Sequence, residues 1–232
     1  ETVFTDLARI DERAPQALKH LLGIYQAERD WERAIDNALR YEEVTGEPMG
    51  KLVAQFECEL AERHRANGEL DAARAAIARA YQADAGSVRA GILEGRIEAG
   101  AGNPDAAIRA YERAARHDPD YLPEFLPSLL ACYGEVGDTA GARAFLAEMS
   151  EHYRGIAPVL ALTGLIEAQE GAQAARDYLG RQLKDRPSVR GEAALIDLTL
   201  AVGADSTATL HDLKHITDQL LVRNPSYRCT RC

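Results

Sequence analysis

The sequence predicts an all-α chain folded as a superhelical solenoid of helix pairs, and three observations carry that prediction. First, the apolar residues are small: 46% of the 232 residues are hydrophobic, yet only 6% are aromatic, and alanine is abundant throughout. Alanine has the best helix propensity, and small side chains let neighbouring helices approach closely. Second, the chain repeats itself. "RDWERAI" (29–35), "GELDAAR" (68–74), "GNPDAAI" (102–108) and "GDTAGAR" (137–143) each run from a polar turn, usually with glycine, into a helix that opens on a small residue. Aligned on Ala34, Ala73, Ala107, Ala142 and, more loosely, Ala175, successive copies lie 39, 34, 35 and 33 residues apart. Third, glycine and proline fall between apolar-periodic segments rather than in runs.

A period near 34 with helix–turn–helix patterning matches the tetratricopeptide repeat, whose pattern has a Leu-Gly-x-x-Tyr cluster, then alanine, a large apolar residue and proline. Taken in order, residues 1–14 fit the second helix of a truncated repeat, with Phe4 and Leu7 at its apolar positions. The alanine expected before Ala34 would fall just off the chain, so the chain is expected to begin inside a repeat of a longer protein. Residues 15–188 hold the repeats proper. "LLGIY" supplies Leu21 and Tyr25 to one first helix, and "LLACY" supplies Leu129, Leu130 and Tyr133 to another. His64 stands at the tyrosine position of its repeat and is expected to pack. The unit at 88–121 is the most regular, with Gly95, Gly102, Ala107, Tyr111 and Ala114 before Pro119, and Pro187 falls at the matching place later. Ala107 and Ala114 share one stripe, where two helices are expected to come too close for larger side chains.

Beyond Pro187 the pattern loosens. Residues 189–224 read as a divergent capping helix pair, "RGEAALIDLTLAV" then "TATLHDLKHITDQLLV", with Ser206 as an N-cap candidate and Asn224-Pro225 as the stop. In the second helix Leu210, Leu213, Ile216, Leu220 and Leu221 hold helical spacing.

Charge narrows the function classes. A formal net charge of -10 and a pI near 5.1 repel phosphate backbones, so nucleic acid is not an expected partner. No apolar run approaches the length of a membrane span, and the first residues lack the basic-then-apolar order of a signal peptide. Cys58 and Cys132 each lie inside a predicted helix and read as packing thiols in a reducing compartment.

Few residues have a pattern suited to chemistry. His211 and His215 share a helix face, but the intervening Asp-Leu-Lys lacks the metalloprotease glutamate, so a polar face is the ordinary reading. Nucleophile elbows, phosphate loops and dinucleotide fingerprints are missing, and no enzyme is expected. The working surface of such a solenoid is expected on its concave face, lined by first helices: Gln16, Lys19, Gln26, Gln55, Cys58, Glu62, Arg65, Arg89, Ile92 and Arg96. Arg89 and Arg96, seven apart on one stripe, could clamp a carboxylate or phosphate of a partner, against the alternative of ordinary solvated arginines. Lys19, Arg65, Arg89 and Arg96 are the candidate groove cations. The lysine–asparagine clamp of chaperone-binding repeats is not expected, because no asparagine stands at the matching positions.

The remaining motif is "SYRCTRC" (226–232), which sets Cys229 and Cys232 at Cys-x-x-Cys spacing. A redox couple would sit at a helix N-terminus after a strand, whereas this pair follows a helix stop. A metal knuckle would need a second cysteine pair, and an unstructured tail is the bland alternative.

A repeat stack running into "NPSYRCTRC" resembles the lipopolysaccharide assembly protein B family of Gram-negative bacteria. The resemblance extends through "LLGIYQAERDWERAID" (21–36), "FECELAERHRANGELDAAR" (56–74), "LLACYGEVGD" (129–138) and "ITDQLLVRNPSYRC" (216–229). It implies a non-enzymatic regulatory adaptor on the cytoplasmic face of the inner membrane, anchored by an N-terminal helix absent here. The adaptor would couple the deacetylase that commits cells to lipid A synthesis to degradation by a membrane-anchored AAA+ protease. Other lipopolysaccharide synthesis and transport proteins are further implied partners, and a homodimer is compatible with such a stack. The resemblance also implies that residues 225–232 are the first half of a rubredoxin-like knuckle, with Cys229 and Cys232 as ligands to iron or zinc in the full-length protein. The alternative is a generic tetratricopeptide co-chaperone or assembly scaffold.

Overall fold

The computed structural model describes residues 14–203 and 207–223, apart from a few side chains of the last helix. Twelve α-helices form among them and no strand. The chain divides into two compact units, Glu1–Val136 and Gly137–Cys232.

In the first unit, α1 (Ala14–Glu28) pairs with α2 (Trp31–Thr45), α3 (Gly50–Ala66) with α4 (Leu70–Ala83), and α5 (Val88–Gly100) with α6 (Pro104–His117). A 3₁₀ turn at Pro119–Tyr121 then leads into α7 (Leu122–Val136). Each second helix packs on its own first helix and on the next one, and α3, α5 and α7 also touch in series. In the second unit, α8 (Thr139–His152), α9 (Ala157–Glu170), α10 (Ala172–Asp185), α11 (Val189–Gly203) and α12 (Thr207–Arg223) pack each on the next.

The repeat alanines explain the close packing. Ala34, Ala73, Ala107, Ala142 and Ala175 are each the fourth residue of a second helix, and all are buried at 0–2% exposure. The first helices answer with small residues of their own. A Cβ added at Gly91 would stand 3.0 Å from the Cβ of Ala114, and one at Gly95 would stand 2.4 Å from the Tyr111 ring. Tyr111 in turn stacks on Phe125 at 5.3 Å between ring centroids, tying α5 and α6 to α7. Trp31 and Phe56 stack at 5.8 Å and join α2 to α3.

Between first and second helix the chain reverses through a left-handed residue. Gly68, Gly102 and Gly137 hold it at φ near +77°, five residues before the repeat alanine (φ 78°, 76° and 78°). In the first pair that place belongs to Arg29, at φ 56°, a conformation that costs an L-residue with a side chain about 1 kcal/mol. The following helix starts are capped locally: Asp30 accepts from the Arg33 amide, and Asp138 from the Gly141 amide.

Several expectations change in the folded chain. Cys58, placed on the groove by its repeat register, is fully buried among Ala61, Ala73 and Ile77. Burial pushes its thiol up to about 11. Ile92 is 5% exposed, so it forms floor rather than open surface. His64 is half-buried and hydrogen-bonds the Glu69 carboxylate through Nδ1 instead of packing as the tyrosine would. Phe4, Leu7, Ser206, all of the 1–14 segment but Ala14, and the 225–232 segment lie outside the described residues.

Candidate functional site

The first-helix face of the first unit carries an open cleft of about 770 Å³ between α3, α5 and the start of α7. Lys51, Gln55 and Glu62 come from α3, and Val88, Arg89, Ile92, Leu93 and Arg96 from α5. Asp84, Gly86, Ser87, His117, Asp118, Tyr121 and Glu124 close the sides. Helical spacing builds this arrangement: 89, 92, 93 and 96 recur on one face, so apolar floor and cationic rim lie side by side.

The four candidate cations fall in different settings. Arg89 and Arg96 both line the cleft. Arg89 donates to Glu59 at 2.6 Å, whereas Arg96 has no carboxylate within 4.0 Å among the described residues. Arg65 is engaged by both oxygens of Glu62, at 2.7 and 2.8 Å. That bond holds the Glu62 carboxyl below its ordinary range, with Arg96 and Arg89 adding to the effect. Lys19 is exposed on α1 and is not part of the cleft lining.

Two of the lining residues that escaped sequence reasoning bear most on binding. Lys51, the second residue of α3, faces the cleft without an ion-pair partner among the described residues, and Tyr121 presents an aromatic ring at 45% exposure. A signal for Tyr121 existed in "HDPDY", where proline and aspartate set a tight turn that displays the next ring. The cleft is therefore amphipathic, with the Tyr121 ring, an aliphatic floor, cations at Lys51 and Arg96, and carboxylates at Glu62, Asp84, Asp118 and Glu124. Glu62 is engaged by Arg65, and Asp84 and Asp118 each accept a backbone amide at 3.1 Å.

His211 and His215 are both exposed on α12, and no group of three or more His, Cys, Asp or Glu able to hold a metal occurs among the described residues. No described helix is long and apolar enough to cross a membrane. Cys229 and Cys232 lie outside the described residues.

Helix pairs of this period, small residues at the pair contact and a cleft on the first-helix face define a tetratricopeptide-repeat protein. No family model matches the chain. Over its whole length it is homologous to proteins named lipopolysaccharide assembly protein B: 32% identical to that of Escherichia coli strain K12 over 234 residues, and 27% identical to that of Haemophilus influenzae over 237. All of this chain is covered in both alignments, and it spans 60% and 59% of those two proteins. Among solved structures, one titled as Naa15/Naa10 bound to HypK-THB superimposes with a TM-score of 0.50 at 17% identity, covering 92% of this chain and 38% of that one.

Proposed function

We propose that this chain is a non-enzymatic scaffold of lipopolysaccharide assembly that binds partner proteins through the first-helix cleft. The observation that supports this most is the amphipathic cleft around Arg96 and Ile92, in a chain homologous along its whole length to lipopolysaccharide assembly protein B. An aliphatic floor supplies affinity by burial, while the cations at Lys51, Arg89 and Arg96 select carboxylate-bearing segments. In the finer form of the proposal, the parent protein presents a lipid A-pathway deacetylase to a membrane-anchored AAA+ protease. The same proposal makes Cys229 and Cys232 half of an iron or zinc knuckle completed by a second cysteine pair in the parent protein.

The test is co-purification of the deacetylase and the protease with this chain from Gram-negative cells. Arg89→Glu with Arg96→Glu is expected to lose at least one of them while the helical circular dichroism stays unchanged. Recovery of chaperone tails, with neither the protease nor the deacetylase, would replace the reading with a generic co-chaperone. Metal analysis of a chain extended past Cys232 is expected to find bound metal that Cys229→Ser abolishes. No metal in the extended chain would end the knuckle proposal.

A further inference from the structure

The second unit carries a different surface. A cleft of about 540 Å³ opens between the second helices α10 and α12 across the first helix α11. Its rim presents Arg176, Asp177, Arg181 and Lys184 from α10 and His215 from α12. Its floor is Gly180, Leu195, Thr199 and Ile216. A neighbouring cleft of about 480 Å³, between α8 and α10 over α9, shares Asp177 and Arg181 and adds Leu162 and Ile166. The shared residues join the two clefts into one trough along the exposed side of α10.

Charge sets this trough apart. The chain carries a formal net charge of -10, and Arg63, Arg74, Arg79, Arg89 and Arg113 are each neutralised by a carboxylate of another helix. On α10 the lining carboxylate, Asp177, is already engaged: Gln173 donates to both its oxygens and Arg176 pairs with it. Arg181 and Lys184 are exposed and have no carboxylate within 4.0 Å among the described residues. Three residues apart on a helix, their side chains rise on the same face. The floor beneath is apolar, and Gly180 keeps it open: a Cβ there would meet only Leu195, at 4.0 Å.

We infer that this trough docks an acidic, leucine-bearing segment of a partner protein, with carboxylates on Arg181 and Lys184 and an apolar side chain over Gly180. Complementary charge across such a rim steers association and selects the partner, and the apolar floor contributes burial. A protein segment fits better than a lipid surface because the apolar groups lie below the cations in a recess, where a flat bilayer cannot reach. This surface lies on α10, α11 and α12, so it stands independently of the first-helix cleft.

The experiment uses the 232-residue chain and a fluorescein-labelled peptide rich in Glu and Leu, read by anisotropy. Its Gln-for-Glu counterpart and anionic phosphatidylglycerol vesicles serve as comparisons. The expected result is binding of the acidic peptide that weakens with salt, falls about tenfold with Arg181→Gln and Lys184→Gln together, and is unaffected by Arg89→Glu with Arg96→Glu. Gly180→Leu is expected to weaken binding as well, by filling the recess without changing charge. Equal affinity of the Gln-for-Glu peptide, unchanged affinity of the double glutamine variant, or binding to vesicles in preference to the peptide would each overturn the inference. Loss of binding with the Arg89/Arg96 variant alone would instead assign the peptide to the first-helix cleft.

Discussion

The two units solve the same packing problem with different materials. The first unit is built on rings: Trp31 on Phe56, Tyr111 on Phe125, and Tyr25 and Tyr133 buried at 9% and 4% exposure. It is also laced by ion pairs across helices, including Arg74–Glu98 at 2.7 Å, Arg79–Glu57 at 2.8 Å and Arg63–Glu32. Arg113 of α6 lies over the Tyr81 ring, 5.0 Å from its centroid, and donates to the Tyr81 hydroxyl and to Glu94, while burial pushes that phenol up to about 12. The second unit buries mainly aliphatic residues, such as Leu146, Val159 and Leu179, with Phe145 among them. Its cross-helix ties engage backbone as much as charge: Arg186 donates to the carbonyls of Ser150 and Tyr153, closing the end of α8. The lesson concerns exposure of charge. Arginines spent on neighbouring helices are neutralised, whereas Arg181 in the second unit, like Arg96 in the first, is left to face its cleft.

The sharpest way to break this comparison is to remove a ring. Phe125→Ala is expected to cost about 3–5 kcal/mol in urea unfolding, because it leaves Tyr111 facing a cavity. The sole tryptophan, Trp31, lies in the first unit, so its fluorescence reports that unit while circular dichroism reports both. The Phe125→Ala loss should therefore be visible in circular dichroism, and in Trp31 fluorescence if the first unit melts as one. Next in size, Arg79→Ala should cost about 1–3 kcal/mol, since Glu57 is 5% exposed and its other oxygen, Oε2, has no hydrogen-bond partner among the described residues. Retention of full stability would mean water already serves that carboxylate.

A single substitution made twice probes the packing directly. Gly95→Ala should destabilise by about 1–3 kcal/mol, because its Cβ meets the Tyr111 ring. Gly164→Ala in α9, where nothing lies within 4 Å, should stabilise by about 0.5–1 kcal/mol. Equal signs in thermal melts of the two variants would refute the close approach at Gly95.

Acid should separate the units more gently. Hydrogen bonds from Arg63, Arg65 and Arg74 hold the carboxyls of Glu32, Glu62 and Glu98 below the ordinary 4.5. Lowered folded-state values mean stability that is present above that ordinary value and lost as pH falls beneath it. In the second unit Asp177 is held low, first by Gln173 and then by Arg176. Trp31 fluorescence should therefore show the first unit weakening as pH drops below about 4.5, and a flat response down to pH 3 or so would show that these exposed pairs contribute nothing. The smallest effect belongs to Arg29→Gly, expected to raise stability by a few tenths of a kcal/mol as left-handed strain is relieved against glycine's greater unfolded-state entropy.

Much of the repeat architecture was legible because its signals are local or periodic. The alanine at the fourth position of five second helices recurs at nearly one spacing, and at Gly68, Gly102 and Gly137 a glycine stands five residues before it. A third of the candidate cleft lining was legible for the same reason: Gln55 and Glu62 share one helical stripe, and Arg89, Ile92 and Arg96 another. Cys58 was misplaced because register gives a side chain's direction but not what covers it. The cross-helix arginine contacts follow the repeat as well, since Glu32 and Arg63, Glu59 and Arg89, and Tyr81 and Arg113 stand 31, 30 and 32 residues apart, close to one repeat.

By itself, then, the sequence determined that this chain forms helix pairs, where each pair turns and which small residues let the pairs close, since propensity, punctuation and period are written within a few tens of residues. Only the tertiary structure decided which arginines are neutralised and which are left to face a partner. That outcome depends on whether a carboxylate from another helix arrives within about 4 Å, and Coulomb attraction between exposed side chains is too short-ranged and too weak to be read from spacing alone.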